Sequence, residues 1–145
     1  MKITQALLDS LTEQAKASSR LRMNLDLRNS AEDTSQRMLN AIEPGSEVPI
    51  HRHQKTSETV VCLRGRLVEE YYQELKDDSL ELKDSSNSSK VQKVQDIELS
   101  PNGPVLALNI PAGQWHTVHA LESGTVILEI KDGKYEPLSD VDILK

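Results

Sequence analysis

Three of the four histidines in this chain fall into two short segments whose chemistry is specific. The first is PGSEVPIHRHQKTSE, where His51 and His53 sit one residue apart and Glu58 follows after a polar connection. The second is PAGQWH, where a Pro-x-Gly turn delivers His116 to the start of an apolar run. On an extended chain, residues two apart face the same side, so His51 and His53 present both imidazoles to one point while Arg52 turns away. The connection Gln54–Ser57 is long enough for a reversal, which allows Glu58 to return to the same point on a neighbouring strand. Three imidazoles and one carboxylate suit a divalent transition ion, with zinc, iron, nickel and manganese as candidates. Six-coordination would leave two open positions for chemistry, whereas tetrahedral coordination would close the site.

The elements that must position these groups can be read from periodicity. Leu7, Leu8, Leu11 and Ala15 mark an amphipathic helix over about 4–18 with Thr4 as N-cap. In RLRMNLDLRN, Leu21, Met23, Leu25 and Leu27 alternate with Arg20, Arg22, Asn24 and Asp26, which predicts a strand with one buried face. QRMLNAIEPG, ETVVCLRGRLVEEYYQEL, VQKVQDIELS, VLALNIPAG, WHTVHAL and TVILEIKDG supply further strand-like runs. Gly65 breaks the second of these, and turn signals follow every 8–12 residues. Residues 76–90, KDDSLELKDSSNSSK, form a polar insert with little to bury. One helix and some eight short strands predict an all-β sandwich or barrel, organised as one domain over residues 1–145.

Composition narrows the partners. The chain has 145 residues and a net charge of −6, with 23 acids against 17 bases, which disfavours nucleic acid. No apolar run is long enough to span a membrane and no signal-peptide pattern opens the chain, so a cytoplasmic location is expected. Cys62 is the single cysteine and forms no internal bridge. Phe is absent and aromatics are 3%, so the core must be aliphatic. Arg20, Arg22 and Asn24 share one strand face and Arg37 lies on the next strand. Together they form a candidate wall for an anionic small-molecule ligand. His119, three residues after His116, is expected at the surface.

The two histidine segments resemble the paired motifs of the cupin superfamily. Gly45, His51, His53, Glu58 and Gly65 satisfy each spacing of the first motif, and Pro111, Gly113 and His116 match the second. Gly103 lies seven residues before Pro111 instead of five, and Ala120 stands where Asn is usual; neither position is a ligand. The stretches LLDSLTEQAKASSRLRMN, QRMLNAIEPG, HRH and PAGQWHTVHALESGTVILEIKDGKYEPLSDVD are similar to WbuC-type cupin metalloproteins. That resemblance implies a jelly-roll β-barrel with a short N-terminal helix, His51, His53, Glu58 and His116 as metal ligands, and a loose link to surface-polysaccharide biosynthesis. Two functions fit: a metal-dependent enzyme on a sugar or sugar-nucleotide-related molecule, or a non-catalytic module that binds a metabolite around a structural metal. A metal-free cupin epimerase would need a His-Asp pair and a Tyr acid, which the sequence does not supply. Small cupins commonly dimerise, and a homodimer is expected.

Overall fold

The computed structural model describes residues 1–75 and 91–144. The polar insert expected over 76–90 lies outside the described residues. Helix α1 spans Gln5–Ala17, and the Thr4 hydroxyl accepts from the Leu7 amide at 3.2 Å, satisfying one orphan donor of the first turn. Its buried residues Leu8, Leu11, Thr12 and Ala15 recur at helical spacing.

Eight strands follow among the described residues. They are β1 (Arg22–Asp26), β2 (Ser35–Ile42), β3 (Glu58–Arg64), β4 (Leu67–Glu74), β5 (Val91–Leu99), β6 (Ala107–Ile110), β7 (Trp115–Ala120) and β8 (Thr125–Asp132). One antiparallel sheet has the order β1-β2-β8-β3-β6 and the other β5-β4-β7. The fold is all-β, with a jelly-roll arrangement of two sheets and one short N-terminal helix.

The larger sheet has two distinct faces. Its outer face carries α1: Leu39 and Ala41 of β2 and Val126 of β8 pack against Leu8, Leu11 and Ala15, with Met23 and Leu25 completing the cluster. The apolar row of β1 is therefore partly buried against this cluster on the helix side, and its polar row lies on the inner side of the sheet. The inner face contributes Ile42, Val60, Cys62, Ile110 and Ile127, which meet Leu67 and Val118 of the smaller sheet and Leu99 of β5.

Four strands change character along their inward rows. Cys62 and Val60 lead to Glu58 on β3, and Ile127 leads to Glu129 and Lys131 on β8. Leu67 leads to Glu69 on β4, and Val118 leads to His116 on β7. Antiparallel pairing sets Val60 opposite Glu129 and Glu58 opposite Lys131, so these changes coincide at one end of the interior. One half is aliphatic core and the other is a titratable cavity. The C-terminal segment closes toward that end through a short 3₁₀ turn at Asp140–Asp142 and a bridge from Ile143 to His51.

Candidate metal centre

The backbone places the histidines before any side chain does. His51 and His116 form an antiparallel bridge, exchanging N–H···O bonds of 3.0 and 2.9 Å. Directly opposed residues point to the same face, and the two rings lie 4.4 Å apart between centroids. The Pro111–Gln114 turn brings the Gly113 amide within 2.8 Å of the His53 carbonyl, which pins His53 beside them. Glu58 opens β3 and reaches the same point from the larger sheet.

Hydrogen bonding fixes which nitrogens face inward. His51 Nδ1 donates to the Pro49 carbonyl at 2.8 Å, and His116 Nδ1 donates to the Gln114 carbonyl at 2.9 Å. A carbonyl can only accept, so in the neutral rings the proton is on Nδ1 and the lone pair is on Nε2. His116 Nε2 stands 3.6 Å from Glu58 Oε2, and His53 Nε2 stands 3.2 Å from the same oxygen. Both His53 Nε2 and Glu58 Oε2 are buried without a hydrogen-bond partner. A lone pair facing a carboxylate lone pair is unfavourable unless a proton or a metal cation lies between them.

One ligand atom from each of His51, His53, Glu58 and His116 lies within 4.8 Å of every other. Bonds of about 2.0–2.3 Å to a central ion place ligand atoms at most roughly 4.5 Å apart, so the set needs only small closure to hold a divalent ion. The chemistry of the donors fits as well. Burial and the neighbouring His116 push the His51 imidazole down to about 4, which keeps it neutral at physiological pH. Burial alone would raise the Glu58 carboxyl, but His116 and His53, when they carry a proton toward it, and Lys131 outweigh burial and hold the group well below the usual range; a metal ion would take the place of those protons. Lys131 Nζ lies 3.7 Å from Glu58 Oε1.

The cluster opens into a cavity of about 840 Å³. Its walls include Gln36, Met38 and Asn40 of β2, Glu69 of β4, Glu129 and Lys131 of β8, and residues 134–139 of the C-terminal segment. Burial, together with the Glu58 and Glu129 charges, pushes the Glu69 carboxyl well above its ordinary value. Glu129 is pushed up to about 7, by burial first and then by Glu58, against the opposing effects of Lys131, His116 and an Asn40 hydrogen bond. Sequence reading missed Glu69, Glu129, Lys131 and Asn40. The signal of Glu69, Glu129 and Lys131 was present as titratable residues in phase with the aliphatic inward rows of β4 and β8, and that of Asn40 as a polar residue in phase with Ile42 on β2.

The expected arginine wall is not assembled. Arg22 alone of the four lines the cavity, and its guanidinium is engaged by the Glu47 carbonyl and the Ser46 hydroxyl. Arg20 and Asn24 are exposed and outside the cavity lining. Arg37 falls between the cavity-lining Gln36 and Met38, so the period-two alternation of β2 turns it to the opposite face. There it donates to the carbonyls of Ser35 (2.8 Å) and Leu27 (3.2 Å) and pairs with Asp33 at 2.9 Å.

Arg37 thus braces the β1–β2 turn. The amides of Asn29 and Ser35, with Arg37, hold the Asp33 carboxyl down at about 2. A depressed carboxylate contributes stability above its unfolded value, and that contribution disappears as pH falls toward the folded one. Thermal melts should therefore show the wild type losing melting temperature more steeply than Asp33→Asn between roughly pH 4 and pH 2. Equal acid limbs would contradict this role.

Other side chains have structural roles. His119 is exposed and faces Glu70 at 3.5 Å, away from the cluster. Cys62 is buried in the core, and burial raises its thiol. Trp115 lies under the Arg52 guanidinium at 4.5 Å and donates to Glu74 at 3.0 Å, forming the rim. Arg52 also pairs with Asp142 at 3.0 Å, which fastens the C-terminal segment beside His51 and His53.

The family described as Domain of unknown function (DUF6016) matches residues 3–78. The chain belongs to this DUF6016 family. No curated protein matches it. Among solved structures, the DUF6016 chain is similar to KdgF from Halomonas sp., with 13% identity, a TM-score of 0.53, and 79% of this chain and 82% of that one covered. It is similar to the capsular polysaccharide assembling protein CapF from Staphylococcus aureus, with 17% identity, a TM-score of 0.60, and 83% and 30% covered. A third is a sugar phosphate isomerase from a cupin superfamily from Silicibacter pomeroyi, with 18% identity, a TM-score of 0.52, and 77% and 59% covered. The DUF6016 chain thus spans less than a third of CapF and somewhat over half of the isomerase. These likenesses establish the cupin fold, and the His/Glu cluster fits a metal-binding cupin. No helix among the described residues is long and apolar enough to cross a membrane.

Proposed function

We propose that this chain is a metal-dependent cupin of the WbuC type that acts on a small sugar-related molecule, with His51, His53, Glu58 and His116 holding one divalent ion. A single observation carries the reading. The Nε2 atoms of His53 and His116 converge on a buried Glu58 oxygen that has no hydrogen-bond partner, an arrangement that a bound divalent cation satisfies. When bound, the ion supplies a Lewis acid for polarising a carbonyl or hydroxyl. The chain's own residues do the rest: the carbonyls of Pro49 and Gln114 fix two imidazoles in the ligating tautomer, and the inward rows of β4 and β8 line a roomy cavity beside them. The likeness to a capsular polysaccharide assembling protein and to a sugar phosphate isomerase supports a place in surface-polysaccharide or sugar metabolism.

A second reading has its own support. Four ligands suffice to close a tetrahedral site, which would make the ion a strut in a metabolite-binding module. Water-proton relaxation of the manganese-loaded chain separates the two. Enhanced relaxation, quenched by small chelating ligands, is expected for open coordination positions. Relaxation no faster than that of the His116→Ala variant would rule out the enzyme reading and leave the strut.

A further inference from the structure

We propose that Glu69 determines the specificity of the cavity, accepting a hydroxyl from an uncharged, polyhydroxylated ligand held opposite the His/Glu cluster. This deepens the functional reading above and rests on it. Glu69 projects from the inward row of β4, between Leu67 and Tyr71, and is 2% exposed. It lines the cavity from the smaller sheet, facing the wall that carries Glu58 and Glu129. Its Oε2 is buried without a hydrogen-bond partner, and no ion pair reaches it among the described residues.

A buried carboxyl oxygen left bare is costly, and native structures keep such groups where a function uses them. The surroundings decide what uses this one. The Lys131 ammonium is held at Glu58 and the Arg22 donors are taken by Glu47 and Ser46; the other cavity-lining cations, Lys55 and Lys134, are exposed, and Lys134 pairs with Glu32, so the buried inner wall offers no uncommitted cation to a phosphate or carboxylate. An anionic group would instead meet the Glu69 and Glu129 carboxyls. A hydroxyl suits both: a carboxyl accepts from it whether or not it carries its own proton. Asn40, which lines the cavity with Glu129, adds a neutral amide to the same wall. The expectation of an anionic ligand is thereby replaced, for the part of the ligand inside the cavity, by a neutral polyol such as a hexose ring. Sites built to bond a hydroxyl discriminate strongly against analogues that cannot supply one.

The test uses the metal-loaded full chain and ligand-observed NMR with neutral hexoses, their 6-phosphates and the matching uronates. At least one neutral hexose should bind roughly tenfold or more tighter than its charged counterparts. Glu69→Gln should weaken that hexose at least tenfold while metal stoichiometry is kept and the melting temperature stays level or rises, because an unpaired buried carboxyl has been removed. Tighter binding of a charged probe, no binding of any hexose, or unchanged affinity in Glu69→Gln would each overturn the proposal. A lowered melting temperature with affinity preserved would show a structural role and overturn it as well. Failure of the metal reading registers separately, as wild-type protein that takes up no metal.

Discussion

Saturating divalent metal should raise the melting temperature of the purified chain by about 10 °C, and His116→Ala should abolish that rise. The size follows from linkage. A ligand at about a thousand times its dissociation constant stabilises the folded state by roughly 4 kcal/mol, and a domain of this size shifts about 2–4 °C per kcal/mol. His116 is buried and its Nε2 faces Glu58, so its removal takes one ligand and uncovers the carboxylate. Glu58→Gln gives the sharper comparison. Its amide group can donate to the Nε2 lone pairs that now face a carboxylate, so the metal-free variant should melt no lower than the metal-free wild type. The metal-induced rise should vanish in the same variant. A purely structural carboxylate would give the reverse: a large loss without metal. Differential scanning fluorimetry with and without chelator reads both quantities, and a retained rise in either variant contradicts the ligand assignment.

Gly65→Ala should lower the melting temperature by roughly 10 °C, corresponding to about 3 kcal/mol or more of combined overpacking and backbone strain. Gly65 turns the chain from β3 into β4 with φ at +80°. A Cβ there would collide with the Thr125 hydroxyl and stand 2.7 Å from the Thr125 Cα. Thr125 cannot retreat, since it is fully buried and its hydroxyl donates to the Glu122 carbonyl at 2.7 Å. Gly113 provides the control. Its φ is +83°, but nothing lies within 4 Å of an added Cβ, so Gly113→Ala should show only the backbone cost of about 1–2 kcal/mol. Equal losses in the two variants, by urea or thermal unfolding, would show that crowding at Thr125 is not the cause.

The legible parts of the fold were those fixed by local chemistry. Thr4 as cap, the helical spacing of Leu8, Leu11 and Ala15, and the break at Gly65 need only neighbouring residues to be understood. The four-residue cluster was legible because His-x-His on extended chain and Pro-x-Gly before His116 are local geometries whose meeting point is set by the fold. The arginine wall failed for an equally physical reason. Alternation shows that Arg22 and Asn24 share a face, but not which neighbour covers that face. The polar row of β1 does lie on the inner side, but β1 is the edge strand of the larger sheet, so Asn24 stays exposed and Arg22 alone reaches the cavity, while Arg37 follows its own strand to the helix side. Glu69, Glu129 and Lys131 were missed because a titratable residue on a strand ordinarily marks the solvent face. Only the pairing of β3 with β8 and the facing of the two sheets reveal that these rows point inward.

The most direct measurement is X-ray absorption at the metal edge, combined with elemental analysis, on chain purified without an affinity tag. Close to one divalent ion per chain is expected, coordinated by three imidazole nitrogens and at least one carboxylate oxygen. Negligible metal after metal-replete growth, or a shell lacking the imidazole signature, would contradict this expectation.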